Sequence, residues 1–410
     1  MKKILFFRKA LTQEGGAERL LFEVAGLAKN FGFESHIVVL SGGDVAKLFD
    51  GRFSDIKVKT LHGSEHPAGF YDKALVSLAA IFQTRKTIKE INPDFIFAQG
   101  PDDAEVIYFA TLGTGYKYST FIHQSLFWCP DDVLKYIFPF RKNFDEVRGS
   151  VWGHKYFIPE QAPTLGFVAG IIVRLRAILN YLVVRRAENI FVPSAIMGKE
   201  VLTLYGKNSI PLKMGVDENM FDYLPRQDVK KKLGIGGKIL ILEVSRLDQQ
   251  KRLDLAIRAF GKIAAEFTDT RFAIGGKGPE KEKLETLIKE LDLGDKVILL
   301  GYVAEDDLRD LHAICDVAFH PAWVDFDISF IEPLVLGKKI VCSTEYELVD
   351  NLLKLKNELI FPADPTVDEM SQALRSALSH KPKIKESMRN LLADYTWNSY
   401  TEKLLSHFVR

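Results

Sequence analysis

Short, continuously apolar runs alternate along this chain with longer segments whose apolar residues recur every three to four positions. A run that is apolar at every position predicts a strand covered on both faces, and the wider spacing predicts helices. Strands are expected at 4–7, 36–40, 95–98, 118–122, 190–194 and 210–214, then at 238–244, 272–274, 297–301, 315–319 and 339–342. Helices are expected from Gly15-Gly16, over 71–92 and 165–184, from Arg252, up to Leu291, over 307–313 and from Trp397 to Phe408. Such alternation predicts an α/β protein whose strands form doubly wound parallel sheets. The stretch HPAWVDFDISFIEPLVLGKKIVCS from His320 is the clearest unit: a strand end, an acidic loop, a short helix, a glycine stop and a second strand.

Two places interrupt the pattern. Residues from about 125 to 163 lose the alternation and are rich in aromatics, as expected of a binding loop or a small helical insert. Gly215 to Pro225 is turn-like and charged, which places a domain boundary there: residues 1–224 before it, 225–393 after it, and a terminal segment 394–410. A chain of 410 residues suits two domains. The helix over 165–184 carries Arg174 and Arg176, with Arg185 and Arg186 behind it. It reads as an amphipathic helix with a basic edge, packed on its own domain or lying on a membrane surface.

Composition narrows the class. With 47% hydrophobic and 27% charged residues the chain is globular, and a net charge of +1 gives no basic field for nucleic acid. The cysteines are Cys129, Cys315 and Cys342, and the last two fall in strands as small core hydrophobes of a reduced compartment. Arg8 interrupts the first apolar run too early for a secretory signal, and no run reaches the length of a spanning helix. The expected location is cytoplasmic, or peripheral at the inner face of the membrane.

Ligands of open α/β sheets bind beyond the carboxyl ends of the strands, so candidate chemistry is expected there. Arg246 and Lys251 flank the turn after the strand over 238–244, where a fork and a point charge would neutralise a diphosphate. The alternative is a solvated surface pair. Gly275-Gly276-Lys277-Gly278 after the next strand would let a base or ribose lie against backbone, although glycine turns are common. Gly15 and Gly16 open the first helix, and His123 lies just past a strand end. Ser329 and Glu332 fit a capping box, but Pro333 argues for a helix starting nearer Glu332, whose carboxylate would then be free for ribose hydroxyls. Asp325 and Asp327 are either a sugar contact or a metal-binding pair; with no further acidic cluster the metal reading is the weaker.

In order and spacing, several elements together resemble the retaining GT-B glycosyltransferases of family 4 (glycosyltransferase group 1). They are Gly15-Gly16-Ala17-Glu18-Arg19, Ser245-Arg246-Leu247 with Lys251, Gly275-Gly276-Lys277-Gly278-Pro279-Glu280, Gly301-Tyr302-Val303, and Glu332 with Gly337. The resemblance spans nearly the whole chain. It implies two Rossmann-like domains facing a cleft, a C-terminal helix crossing back to the first domain, a nucleotide-sugar donor and no metal or other cofactor. It assigns Arg246 and Lys251 to the diphosphate, Glu332 to the ribose, Gly15 and Gly16 to the phosphate or donor sugar, and His123 to the neighbourhood of that sugar. Gly276, Gly278, Asp325, Asp327 and Ile328 complete the expected donor site. The acceptor would be a hydroxyl of a glycan or a lipid-linked molecule.

One position departs from the family. A glutamate usually stands eight residues before the one matched by Glu332; here that position is Val324, with Asp325 seven before. Either Asp325 or Asp327 takes over the sugar contact, or the contact is missing and the chain is a catalytically silent, nucleotide- or glycan-binding subunit. A Rossmann dehydrogenase is excluded, because no third glycine follows Gly15-Gly16 and no acid sits at the expected strand end.

Overall fold

The computed structural model describes residues 1–11, 15–42, 53, 56–61, 78–123, 125, 167–226, 229–232, 234–235, 239–323, 328–349, 351–384 and 386–408. The expected insert over 125–163, apart from Ser125, and the loop holding Asp325 and Asp327 lie outside these residues. The chain divides into two compact units, Met1–Lys213 with Tyr400–Arg410, and Met214–Ser399.

The first unit is built on a parallel sheet of seven strands: β1 (Lys2–Leu11), β2 (Phe33–Gly42), β3 (Val58–Thr60), β4 (Phe95–Ala98), β5 (Ser119–Phe121), β6 (Ile190–Val192) and β7 (Ile210–Pro211). Their order across the sheet is β3-β2-β1-β4-β5-β6-β7. The chain therefore moves outward from β1 in one direction, returns, and continues from β4 in the other. That reversal makes the gap between the carboxyl ends of β1 and β4 a topological switch point, where such sheets bind ligands. The helices are α1 (Gly16–Leu27), α2 (Leu78–Ile91), α3 (Pro101–Thr111), α4 (Phe167–Arg186) and α5 (Ala195–Tyr205). Right-handed crossovers place α1 on one face of the sheet and α2 to α5 on the other. Ile4 to Phe7 are fully buried, as strands covered on both faces require.

The second unit repeats the plan with six parallel strands: β8 (Ile239–Val244), β9 (Thr270–Gly275), β10 (Val297–Gly301), β11 (Val317–His320), β12 (Lys339–Ser343) and β13 (Ile360–Ala363). The order is β10-β9-β8-β11-β12-β13, so the switch point lies between β8 and β11. Around the sheet lie α6 (Leu253–Ile263), α7 (Lys281–Glu290), α8 (Glu305–Ile314), α9 (Ile328–Val335) and α10 (Val367–Ser379). Helix α6 turns Leu253, Ala256, Ile257, Phe260 and Ile263 into a core shared with Phe272, Phe319 and Val341. Cys315 and Cys342 are buried in this unit, and burial pushes both thiols up to about 12, so they remain protonated packing groups.

Segment 214–217 belongs with the second unit because it pairs with the chain before the last helix, α11 (Trp397–Ser406). Val216 N–H donates to the Tyr395 carbonyl and Trp397 N–H to the Val216 carbonyl, each at 3.0 Å. Gly215 is required here: a Cβ would stand 2.6 Å from the Trp397 nitrogen. Beyond Ser399 the chain rejoins the first unit, where Phe408 packs on Phe95, Phe97 and Phe191 with ring centroids 5.1–6.4 Å apart.

Two sequence expectations give way. Gln99 to Asp102 reads as a loop, but Pro101 starts α3, with Gly100 as its cap and Asp102 and Asp103 in its first turn. Proline at the first helical position and acids beside the positive end of the dipole are helix-start signals. Helix α9 begins at Ile328, four residues before Glu332, so neither a Ser329 cap nor a start near Glu332 holds. Pro333 sits inside the helix, which removes one backbone bond from a single turn without ending it.

Candidate active site

In the second unit the groups picked out by sequence gather at the carboxyl ends of β8, β9 and β11. After β8, Ser245 N–H donates to the Gly275 carbonyl (3.0 Å), Leu247 N–H to Lys277 (2.9 Å) and Glu280 N–H to Leu247 (3.0 Å). The glycine turn is thus laced to the Arg246 loop by backbone. A Cβ on Gly276 would lie 1.8 Å from the Ser245 oxygen, at a backbone φ of 133°, and one on Gly278 would lie 2.2 Å from the Leu247 oxygen. These two glycines are needed by the protein's own backbone, whatever ligand lies beyond.

The consequence is a fixed platform for Arg246. Its side chain is 63% exposed and its Nε donates to Asp248 Oδ2 at 2.6 Å, which orients the guanidinium without burying it. Lys251 ends the 3-10 turn Gln249–Lys251 and is partly buried. Between them Gln250 ties this loop to the one after β11: its Nε2 donates to the Trp323 carbonyl (3.1 Å) and Trp323 N–H donates to the Gln250 carbonyl (3.0 Å). Arg252, in the left-handed region at φ 49°, turns away and clamps Glu345 with both guanidinium nitrogens.

Glu332 is not an open carboxylate. It is 2% exposed, and its Oε2 is 3.4 Å from Nδ1 of the equally buried His312 on α8. Ile328, 6% exposed, heads the same helix and packs in the core. A second buried pair stands at the switch point itself: His320 Nδ1 at the end of β11 lies 3.4 Å from Glu243 Oε2 in β8. Neither histidine has a local signature in the sequence. Their partners are 20 and 77 positions away, and only the fold brings each pair together.

In the first unit, Gly15 caps α1 in an extended conformation and Gly16 is the first helical residue. The Glu18 carboxylate curls back over Gly15, 2.7 Å from where a Cβ would stand, and is held by Arg8. The positive end of this helix therefore faces one of the chain's own acids. Arg8 also approaches Asp103 at 3.6 Å, whose Oδ1 accepts from the Lys9 amide at 2.7 Å. Lys9 Nζ lies 3.2 Å from Glu105, and Arg176 of α4 lies 3.0 Å from Asp102 and 3.8 Å from Glu105. Burial raises Asp103 to about 6 against the opposing pull of Arg8, and raises Glu105 as well. This network of cations and acids at the β1–β4 switch point had no signature beyond scattered charges in the sequence.

His123 follows β5 and stacks on Phe121 at 4.2 Å, with Nε2 3.3 Å from Gln99 Oε1. Burial, and then the charge of Arg8, push its pKa down to about 3. The imidazole is neutral at any physiological pH and can offer hydrogen bonds but no charge.

Comparison with known proteins places this architecture. Residues 225–393 match the family Glycosyl transferases group 1. Over these residues the chain resembles group 1 glycosyltransferases. The whole chain superposes on Anabaena HepE in complex with UDP with a TM-score of 0.69, at 16% identity and over 99% of each chain, so the fold is GT-B. Among relatives, the phosphatidylinositol N-acetylglucosaminyltransferase gpi3 subunit of Schizosaccharomyces pombe is 26% identical over 167 residues, 40% of this chain and 37% of that protein. A Campylobacter jejuni N-acetylgalactosaminyltransferase acting on a diphospho-undecaprenol-linked sugar is 38% identical over 104 residues, 25% of this chain and 27% of that one. These matches span well under half of either relative. Among the described residues no helix is long and apolar enough to cross a membrane.

Proposed function

We propose that the chain is a retaining glycosyltransferase that moves a sugar from a nucleoside diphosphate to a hydroxyl of a glycan or lipid-linked acceptor, working on the cytoplasmic side and without a metal. The observation that carries this reading is the exposed Arg246 on its glycine-braced loop at the β8–β11 switch point, within the residues that match group 1 glycosyltransferases. The departing nucleoside diphosphate gains negative charge as the glycosidic bond breaks. Arg246 as a fork and Lys251 as a second cation would stabilise that charge where it develops, which is the largest single contribution such a site can make. Glu332 is assigned to the ribose by the resemblance alone, since its carboxylate is buried against His312, and Gly276 and Gly278 would shape the wall beside the nucleotide. His123, Gly15 and Gly16 are assigned to the donor sugar by the resemblance, His123 as a neutral hydrogen-bonding group. Asp325 and Asp327 are assigned to the sugar as well, from sequence.

A panel of nucleotide sugars, with nucleoside diphosphate release as the readout, tests the proposal. Turnover is expected with one donor, undiminished by a chelator, and the transferred sugar should keep its anomeric configuration by NMR. Arg246→Ala should lower kcat by roughly a hundredfold, the scale of losing one oriented charge-stabilising group. Nucleotide binding by the intact chain without turnover of any donor would instead favour a silent subunit, the reading to which Val324 at the usual glutamate position points.

A further inference from the structure

Helix α4 leaves one face uncovered. Ile171, Leu175, Ile178 and Leu182 are 41%, 62%, 46% and 46% exposed. Successive helical residues are about 100° apart, so these four fall within about 60° of arc and form a row about 16 Å long. The opposite face is conventional: Ala177, Val183 and Val184 are fully buried, and Arg176 turns towards Asp102 and Glu105 of α3. The helix is thus aliphatic on both sides rather than amphipathic as the sequence suggests, and packing within one unit does not explain the exposed row.

Charge indicates what the row meets. The twenty residues of α4 include four arginines and no acid. Arg185 and Arg186 continue the row at its C-terminal end, one on each side of its axis by helical register. Arg185 stacks on Tyr181 and donates to its hydroxyl at 2.8 Å. Among the described residues neither arginine is ion-paired with a carboxylate. The neighbouring helix α5 adds exposed Leu202 and Lys199. An aliphatic row edged by unpaired cations is the chemistry of an interfacial helix, its apolar residues entering the acyl boundary and its arginines meeting anionic headgroups.

We infer that this face of α4 docks on an anionic lipid bilayer. The inference extends the lipid-linked acceptor reading without depending on it, since docking needs no donor. The test is cosedimentation of the full chain with phosphatidylcholine vesicles, with and without phosphatidylglycerol. The chain should bind the anionic vesicles and bind less at high salt. Leu175→Glu with Ile178→Glu should weaken binding at least tenfold, and Arg185→Ala with Arg186→Ala should weaken it several-fold on anionic vesicles only. Thermal unfolding and nucleotide turnover in solution should stay at the parent values, because these side chains are already in water. Failure of donor turnover with intact vesicle binding would sink the proposed activity and leave this inference standing. Equal vesicle binding by parent and Glu variants, no binding by either, or a dimer in sedimentation velocity that the Glu variants dissolve would overturn it.

Discussion

Asp103 shows how one residue's surroundings become a measurable quantity. Its carboxyl is raised from 3.8 to about 6, chiefly by burial, so the fold disfavours the charged form. The sign follows: the contribution to stability is present below about pH 4 and lost as pH rises through about 6. Asp103→Asn keeps an acceptor for the Lys9 amide and removes the charge, so the variant should gain up to about 3 kcal/mol at pH 7 and little at pH 4. Denaturant unfolding at the two pH values reads the difference. His123 runs the other way. Its pKa is depressed to about 3, so its contribution is present above 6.5 and lost as pH falls towards 3. His123→Gln should flatten the acid limb of the same profile. Glu332 and His312 form the third residue-level case. If His312 orients the carboxylate, His312→Phe should raise KM for the nucleotide sugar several-fold with kcat nearly unchanged, whereas a merely structural role would lower thermal stability and leave KM alone.

At the scale of elements, the glycine turn after β9 carries the sharpest expectation. Gly276→Ala drives a Cβ into the Ser245 oxygen at a φ few side chains adopt, so the Arg246 loop must move. A stability loss on the order of 2–4 kcal/mol is expected, with nucleotide affinity lost alongside, by thermal unfolding and titration. The strands that fix this geometry were legible in sequence because they are covered on both faces. FIFA at 95–98 and the run within Lys339–Ser343 are apolar and buried in interior strands, and their observed bounds agree with the expected 95–98 and 339–342 to within a residue. Of the edge strands, β7 and β10 are marked by apolar runs, but β3 and β13 are not legible. Val58–Thr60 has Lys59 at its centre and exposed side chains, and Ile360–Ala363 holds Pro362, tolerated only because an edge strand can spare a donor. The start of α9 is not legible because Pro333 argues for a start nearer Glu332, while the buried Phe330, Ile331 and Leu334 hold the helix through it.

At the scale of the whole molecule, the same plan appears twice. Both sheets are parallel, both reverse strand order once, and both concentrate charged or glycine-bearing loops at the reversal. The sequence carried that duplication through its alternating runs, and the Arg246, Gly276 and Glu332 positions through a family resemblance. It did not carry the buried acid–histidine pairs or the Arg8–Asp103–Glu105 network, because such contacts join residues from separate strands and helices without local periodicity. A ligand bound only by the folded state stabilises it by about 2.7 kcal/mol at a hundred times its dissociation constant. The cognate nucleoside diphosphate should therefore raise the melting temperature of the parent chain and leave that of Arg246→Ala nearly unmoved.

Isothermal titration of the full chain with UDP and with GDP, parent against Arg246→Ala, tests the central claim most directly. The account requires one of the two nucleotides to bind the parent, with a Kd raised at least tenfold, about 1.4 kcal/mol, in the variant. Equal affinity in both proteins, or no binding of either nucleotide by the parent, would contradict the assignment of the β8–β11 switch point to a nucleoside diphosphate.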